Sequence, residues 1–176
     1  MNRQTLLAGR DASVNVARLN ILLGRASGYF GVINYQGAKF SGDATAVRPV
    51  LEALNERGVA LVEDGSPEEA SFDKVADETR VRYVKATAPI DPKLTAADIN
   101  LELLELETRA KETGAAMGAG YAFPITIEMA KIWTGELGQK GILLAPVSAL
   151  VGTTPADFVN DDRNRTGSVA KAPVNP

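Results

Sequence analysis

Side chains that could perform chemistry occur in short groups along the chain, and each group follows an apolar run. The groups contain, in chain order, Asn34, Tyr35, Gln36 and Lys39, then Glu63, Asp64 and Ser66, then Asp91, Tyr121 and Ser148. The amides and the phenol of the first group suit a sugar, because a pyranose ring offers hydroxyls to polar side chains and an apolar face to aromatic rings. The alternative for Tyr35 is structural, with its ring covering the core and its hydroxyl in water.

Glu63 and Asp64 are adjacent carboxylates, followed by a glycine and Ser66. Such a pair could hold a hard cation or supply the acid and the base of a hydrolytic reaction. The Asp-Gly-Ser-Pro sequence that begins at Asp64 is also typical of a simple turn, so both interpretations stay open.

The chain contains no histidine and no cysteine. This absence excludes a Ser-His-Asp relay, cysteine nucleophiles, thiolate metal sites and disulfides, and it removes the commonest ligand of transition metals. We therefore expect no cofactor and no metal site formed by this chain alone.

The charge of the chain is nearly balanced, with 19 basic and 22 acidic residues and a formal net charge of −3. Neither sign forms the concentrated run that would attract a nucleic acid or an anionic membrane surface, so we expect neither as a partner. The opening residues 1–10 lack the apolar segment of a signal peptide, and no later run has the length of a bilayer span. We expect no membrane insertion of this segment.

Three further patterns are better explained by packing or solvation than by chemistry. Gly118 and Gly120 lack the third glycine and the lysine-serine pair of phosphate-binding loops. Trp133 lies at helical spacing from apolar residues, so we predict that it packs against the sheet and does not stack on a sugar. A solvated outer helix face is the preferred interpretation of a glutamate cluster that consists of Glu102, Glu105, Glu107 and Glu112.

Apolar runs with strand character alternate with segments of helical periodicity. The predicted strands are Tyr29–Asn34, Val59–Val62, Val81–Lys85, Ala115–Ala119 and Ile142–Ala145. Five helices are predicted. The first begins at Asp11 or Ser13 and runs to Gly24, and the second lies between a cap at Asp43 and Gly58. The other three are Ser71–Thr79, Thr95–Thr113 and a helix from Pro124 to about Leu137. Pro49 falls inside the second helix, where we expect a local bend or an irregular first turn.

This alternation predicts an α/β fold with parallel strands, either open or curled into a distorted or incomplete (β/α) barrel. Loops at the carboxyl edge of such a sheet converge on one crevice, so the candidate residues after the strand ends should meet there. We predict one domain over residues 1–152 and a flexible polar tail over residues 153–176.

Four stretches of the chain resemble the divergent polysaccharide deacetylases. The first is the segment 31–66, which reads GVINYQGAKFSGDATAVRPVLEALNERGVALVEDGS. It is similar to a family stretch in which a strand ends in N-H-M-G-S-R-F-T. In the family, a helix follows that strand, and then a second strand that ends in an acidic D-S or D-G-S turn. Ile90 and Asp91 resemble the family's F-L-D element. The segment 118–128, GAGYAFPITIE, resembles G-I-G-H-P-x-T-I/L, and the segment 5–7 resembles T-L-L, so the resemblance covers residues 5–151.

The resemblance implies a distorted (β/α) barrel that acts on an N- or O-acetylated glycan with a divalent metal, usually zinc. In that chemistry the metal polarises the acetyl carbonyl and activates water, and a carboxylate acts as general base. It also implies a periplasmic or cell-envelope location and an acetylated or peptidoglycan-type carbohydrate as partner. By position, the substrate-binding candidates are Asn34, Tyr35, Lys39, Ser66 and Tyr121, and the catalytic candidates are Asp64 and Asp91.

The chain departs from the family pattern at the metal ligands. Tyr35 and Tyr121 stand where the family has histidine, and Ala122 and Phe123 are inserted after the second of them. A phenol is a poor zinc ligand because it must first lose a proton whose pKa is about 10. The family's paired aspartates and its first ligand histidine belong to an amino-terminal part that this chain does not contain, so we expect zinc only if such a part supplies ligands.

Three hypotheses follow for the function. The first is a deacetylase-like domain of the cell envelope without its own metal centre that retains glycan binding. The second is a working hydrolase whose metal ligands lie upstream. The third is a structural or protein-interaction module, which could form a homo-oligomer through an exposed sheet edge.

Overall fold

The structure is a computed structural model that describes residues 5–66 and 70–152. Helices and strands alternate over these residues, as the periodicity predicts. The helices are α1 (Ala12–Leu23), α2 (Ala38–Ser41), α3 (Ala44–Glu56), α4 (Phe72–Thr79), α5 (Ala96–Thr113) and α6 (Pro124–Glu136), with 3-10 turns at Leu137–Lys140 and Val147–Ala149. The strands are β1 (Gly31–Ile33), β2 (Ala60–Glu63), β3 (Tyr83–Lys85), β4 (Ala88–Pro89) and β5 (Gly118–Ala119).

Local signals in the sequence account for several helix ends. The Asp43 side chain accepts hydrogen bonds from two backbone N–H groups in the first turn of α3, and Thr95 caps α5 in the same way. Gly114 ends α5 in the left-handed conformation, with φ of 87°. At α1 Asp11 occupies the cap position but its side chain makes no capping bond, and α3 runs continuously through Pro49.

The strands are parallel and form two sheets that hydrogen bonds link into one layer. In the first sheet β2 lies between β1 and β3, and β4 pairs with β5 in the second. The segment between β3 and β4 joins the two sheets, because the Ala86 N–H donates to Glu63 O and the Thr87 N–H donates to Met117 O. The order across the layer is therefore β1, β2, the bent β3–β4 segment, and β5.

The parallel α/β architecture is confirmed, but the strands of the described residues do not close into a barrel. A barrel whose interior is filled by side chains needs about eight strands. The layer has four strand positions in the part of the chain that the structure describes, and within that part β1 and β5 are its edges.

Apolar side chains pack against both faces of β2, which is buried along its whole length. Leu61 belongs to the larger core cluster, which includes Val47, Leu51 and Leu54 of α3 and lies on the helix-covered face. The next residue, Val62, faces the opposite way and packs with a second cluster formed by Ala86 and Met117. This alternation is the two-residue period of a strand.

The predicted fifth strand, Ile142–Ala145, is wrong. The segment has no regular secondary structure and pairs with no strand of the described residues, and Leu143 and Leu144 are 89% and 69% exposed. A strand is stable only with a hydrogen-bonding neighbour, and an apolar run does not provide one.

Two predictions about burial also need correction. The first strand is shorter than Tyr29–Asn34 and is not buried on both faces, because β1 is an edge strand whose Ile33 is 60% exposed. Glu107 does not lie on a solvated face. It is buried beneath α6, where its Oε1 accepts hydrogen bonds from Trp133 Nε1 at 2.8 Å and Lys140 Nζ at 2.6 Å. The Trp133 side chain therefore binds α5 through its indole N–H.

The predicted tail, residues 153–176, lies outside the described residues, so it and the domain boundary at residue 152 stay predictions. Among the helices of residues 5–66 and 70–152, none combines the length and the apolar character needed to cross a bilayer.

Candidate functional site

Asn34 and Asp64 meet at the carboxyl edge of the sheet, one residue beyond β1 and β2. The Asn34 Nδ2 donates to Asp64 Oδ1 at 2.9 Å, and the Asp64 backbone N–H donates to Asn34 Oδ1 at 2.8 Å. Parallel pairing places the two side chains together, because Ile33 lies opposite Val62 in the register. The convergence that the alternation predicted therefore occurs at these two strand ends.

Ser66 completes the turn after β2. Its backbone N–H and its hydroxyl both donate to Asp64 Oδ1, at 2.9 and 2.7 Å. Together with the bond from Asn34, this oxygen accepts three hydrogen bonds, whereas the other carboxylate oxygen accepts none from the described residues. Asp64 is half-buried, and within residues 5–66 and 70–152 its second oxygen keeps its capacity to accept a hydrogen bond.

Asp91 is more deeply buried than Asp64 and binds other partners. It is 7% exposed, and its Oδ2 accepts hydrogen bonds from the Tyr121 backbone N–H and the Thr126 hydroxyl, both at 2.8 Å. The carboxylate thus joins the loop after β4 to the loop after β5 and to the first turn of α6. This geometry positions Tyr121.

Three aromatic rings extend the site across the sheet edge. The rings of Tyr35 and Tyr121 meet edge to face, with centroids 6.0 Å apart and an interplanar angle of 87°. Phe123 continues the row, with its ring centroid 6.1 Å from that of Tyr121. Tyr35 is 70% exposed, so the alternative in which its ring is buried in the core is wrong. We call Tyr35, Tyr121 and Phe123 the aromatic row.

Glu63 does not share the surroundings of Asp64. Its side chain is 1% exposed, accepts a hydrogen bond from the Tyr83 hydroxyl, and has Lys85 Nζ 3.2 Å from its Oε1. Burial, together with the bond to Glu63, raises the pKa of the Tyr83 phenol. The adjacent carboxylates therefore lie in separate environments, since successive side chains of a strand point to opposite faces.

No hydrogen bond, ion pair or ring contact within the described residues joins two other candidates to this cluster. Lys39 is exposed on α2, and Ser148 is exposed in the last 3-10 turn. Thr126 and Phe123 were not predicted as site residues. Pro124 is a sequence signal that could have indicated these two residues, because a proline commonly occupies the first position of a helix. Thr126 and Phe123 then lie at the start of α6, just after a strand ends.

The donor set does not fit a zinc ion. The chain has no imidazole or thiol, and no group of three or more acidic side chains in residues 5–66 and 70–152 is arranged to hold a metal.

Comparison with known proteins identifies the family. The model of the family described as divergent polysaccharide deacetylase matches residues 1–151. The chain belongs to this family. Asn34, Asp64, Asp91 and Tyr121 all lie in the matched region.

Two relatives of this deacetylase-family chain are both uncharacterized proteins. YibQ of Escherichia coli (strain K12) is 22% identical over 146 residues, which cover 83% of this chain and 44% of YibQ. The crystal structure of ATU2773 from Agrobacterium tumefaciens C58 matches with a TM-score of 0.82 and 34% identity, over 84% of this chain and 60% of that one. The chain thus spans less than two thirds of the length of either relative.

Proposed function

We propose that this member of the divergent polysaccharide deacetylase family binds an acetylated, peptidoglycan-type glycan of the cell envelope at the carboxyl edge of its sheet. Family membership suggests a carbohydrate-related function. The observation that carries the finer proposal is the contact between Tyr35 and Tyr121 beside the hydrogen-bonded pair of Asn34 and Asp64. Exposed aromatic faces and polar groups then lie at one edge, as sugar recognition requires.

Each part of the edge has a chemical role in this proposal. The aromatic row offers apolar surface to the face of a pyranose ring and to the methyl group of an acetamide. The second carboxylate oxygen of Asp64, which no described residue engages, accepts a hydrogen bond from the acetamide N–H or a sugar hydroxyl, and the Ser66 hydroxyl borders it. Lys39 would act at the margin as a donor to hydroxyl or carboxylate groups, since its side chain is exposed on α2.

Catalysis is proposed in a restricted form. Asp64 is the candidate for proton transfer, because one of its carboxylate oxygens is not engaged by the described residues. Asp91 supports the site by holding the Tyr121 backbone and would not touch substrate. Zinc chemistry would need ligands from outside this chain, because the side chains present do not fit the ion.

Glycan titration tests the binding proposal. Oligomers of N-acetylglucosamine and peptidoglycan fragments would be titrated into the protein, and binding would be measured by calorimetry or NMR. Fully deacetylated oligomers of the same length are the control ligands. We expect Tyr35→Ala to weaken binding about tenfold, equivalent to roughly 1.4 kcal/mol. Phe30→Ala is the control variant, because Phe30 is a partly exposed ring just before β1 begins, at the opposite end of that strand from Tyr35.

Two results would reject the proposal. One is the absence of binding to every acetylated oligomer at millimolar concentration. The other is equal affinity of the wild type and Tyr35→Ala for the same ligand. An assay for released acetate, with and without added zinc, would be run in parallel, and we expect no zinc-dependent hydrolysis by this chain alone.

A further inference from the structure

The three rings of the aromatic row do not lie in one plane. The ring planes of Tyr35 and Tyr121 meet at 87°, and those of Tyr121 and Phe123 meet at 65°. Edge-to-face packing of this kind is a favoured arrangement of aromatic rings in contact. Neighbouring residues of an N-acetylglucosamine oligomer form a flat ribbon, so stacking on two rings at once would need two nearly coplanar rings. The row therefore does not offer stacking faces to two neighbouring sugars of one chain.

Tyr35 is the ring of the row with the most surface left for a sugar. It is 70% exposed, whereas Tyr121 and Phe123 are 44% and 42% exposed. Tyr121 packs against both of the other rings, and these two contacts cover part of its surface. A pyranose stacks on one aromatic face, and Tyr35 provides the largest exposed ring for that contact.

The polar groups of the site lie at the Tyr35 end of the row. Asn34, the residue before Tyr35, donates to Asp64 Oδ1 at 2.9 Å, and the second oxygen of Asp64 accepts no hydrogen bond from the described residues. At the other end, the buried Thr126 hydroxyl already donates to Asp91 Oδ2 at 2.8 Å. The most exposed ring and the available acceptor therefore belong to adjacent strand ends, which suits one pyranose with an apolar face and a polar edge.

We propose that the site reads a single acetylated sugar residue, which stacks on Tyr35 beside the perpendicular ring of Tyr121. This inference rests on the proposed glycan binding and narrows its ligand to one residue of the chain. The other residues of a glycan make no further stacking contact with the row. Affinity therefore depends on the presence of an acetylated residue and not on the length of the chain.

Titration of the protein with N-acetylglucosamine and with its disaccharide, trisaccharide and tetrasaccharide tests this inference, with binding measured by NMR. A site for one residue gains only a statistical factor from a longer chain, because each residue of the oligomer can occupy the site in turn. We expect the tetrasaccharide to bind at most about fourfold more tightly than the monosaccharide, equivalent to about 0.8 kcal/mol. A ligand that engaged two rings at once would gain on the order of a hundredfold. A rise above the statistical factor would overturn the inference.

Two ring variants separate a site for one residue from an extended site. Tyr35→Ala should weaken the binding of every oligomer by the same factor, because it removes the one stacking face. Phe123→Ala should leave the ratio of tetrasaccharide to monosaccharide affinity unchanged, whatever it does to either affinity. Phe30→Ala is the matched control, since it removes a ring of similar exposure outside the row. A ratio that falls in Phe123→Ala would reveal a second sugar at the far end of the row and overturn the inference.

The same titrations distinguish failure of this inference from failure of the proposed function. Absence of binding to every acetylated oligomer rejects both. Binding that strengthens beyond the statistical factor rejects the single-residue site and leaves glycan binding in place. The length series needs only the wild-type protein, so its result does not depend on the folding of a variant, which circular dichroism would verify for each substitution.

Discussion

Asn34 and Asp64 exchange two hydrogen bonds across the ends of neighbouring strands, from Asn34 Nδ2 to Asp64 Oδ1 and from the Asp64 N–H to Asn34 Oδ1. A side-chain amide can form both bonds at once, because it carries a hydrogen-bond donor and an acceptor on one planar group. The pair holds the carboxylate in one orientation, with Ser66 completing its shell. The geometry of the candidate site therefore depends on Asn34 as much as on Asp64.

Replacing Asn34 should destabilise the protein. Asn34→Ala removes the amide and leaves the Asp64 carboxylate and N–H without these partners. We expect a loss of roughly 1–3 kcal/mol in the free energy of unfolding, measured by urea denaturation. The control is Asn100→Ala, which changes an exposed asparagine of α5 and should not destabilise. Equal stability of the two variants would contradict the structural role of Asn34.

Asp91 should act through position and not through contact with ligand. Asp91→Ala removes the acceptor of one buried and one partly buried hydrogen bond and should cost roughly 1–3 kcal/mol of stability. Thr126→Val removes one of these bonds with little change of shape and should cost roughly 1 kcal/mol. In glycan titrations, both variants should weaken binding in proportion to the displacement of Tyr121. The Tyr121 resonances in an NMR spectrum would report that displacement. Undisturbed Tyr121 resonances in Asp91→Ala would refute this role.

Gly31 should be required by the close approach of β1 and β2. A Cβ atom at this position would lie 2.8 Å from the Ala60 backbone oxygen, so Gly31→Ala must move one strand. We expect a loss of roughly 1–3 kcal/mol. Gly135→Ala is the matched control: no atom lies within 4 Å of its added methyl, and alanine in a helix should stabilise by roughly 0.5–1 kcal/mol. A stable Gly31→Ala variant would indicate that the two strands are further apart.

The ion pair of Glu107 and Lys140 should make stability depend on pH. Burial of Glu107 acts to raise the pKa of its carboxyl, but the hydrogen bonds from Lys140 and Trp133 outweigh it and hold this pKa below 4.5. The hydrogen bond to Glu107 also raises the pKa of the Lys140 ammonium above 10.5. A lowered acid pKa gives stability that is present above pH 4.5 and is lost as the pH falls through the folded value. A raised ammonium pKa gives stability that is present below pH 10.5 and is lost as the pH rises further.

Glu107→Gln tests this dependence. We expect the difference in unfolding free energy between the wild type and this variant to be largest near neutral pH and to shrink below pH 4.5. Glutamine can still accept the bond from Trp133, so the change reports mainly on charge. Glu105→Gln is the control, because the pair of Glu105 and Arg109 is exposed on the same helix and should contribute little at any pH. A difference that stays constant from pH 3 to 7 would contradict the assignment.

The sequence allowed many local features to be predicted. Asp43 and Thr95 were expected at the starts of α3 and α5, and both cap those helices, because capping depends on residues within one turn. Parallel strands also follow from the alternation itself, since each crossover helix returns the chain to the same edge. That edge places Asn34 beside Asp64, and Tyr35 beside Tyr121.

Other features depend on neighbours that a local pattern does not contain. Ile142–Ala145 has the composition of a strand but no pairing partner in the described residues. Glu107 has the composition of a surface residue but is buried because α6 packs over it. The Glu63 side chain likewise lies in separate surroundings from Asp64, against Tyr83 of the next strand.

The sequence by itself determined which chemistry is absent, since a chain without histidine or cysteine has neither imidazole nor thiol at any position. It also determined the alternation of elements and hence the edge at which polar residues gather. Only the tertiary structure decided that Asp64 keeps one oxygen free of the described residues while Asp91 is buried against Tyr121 and Thr126. The reason is physical: residue type sets what a group can donate or accept, whereas its partners and its exposure depend on segments distant in the chain.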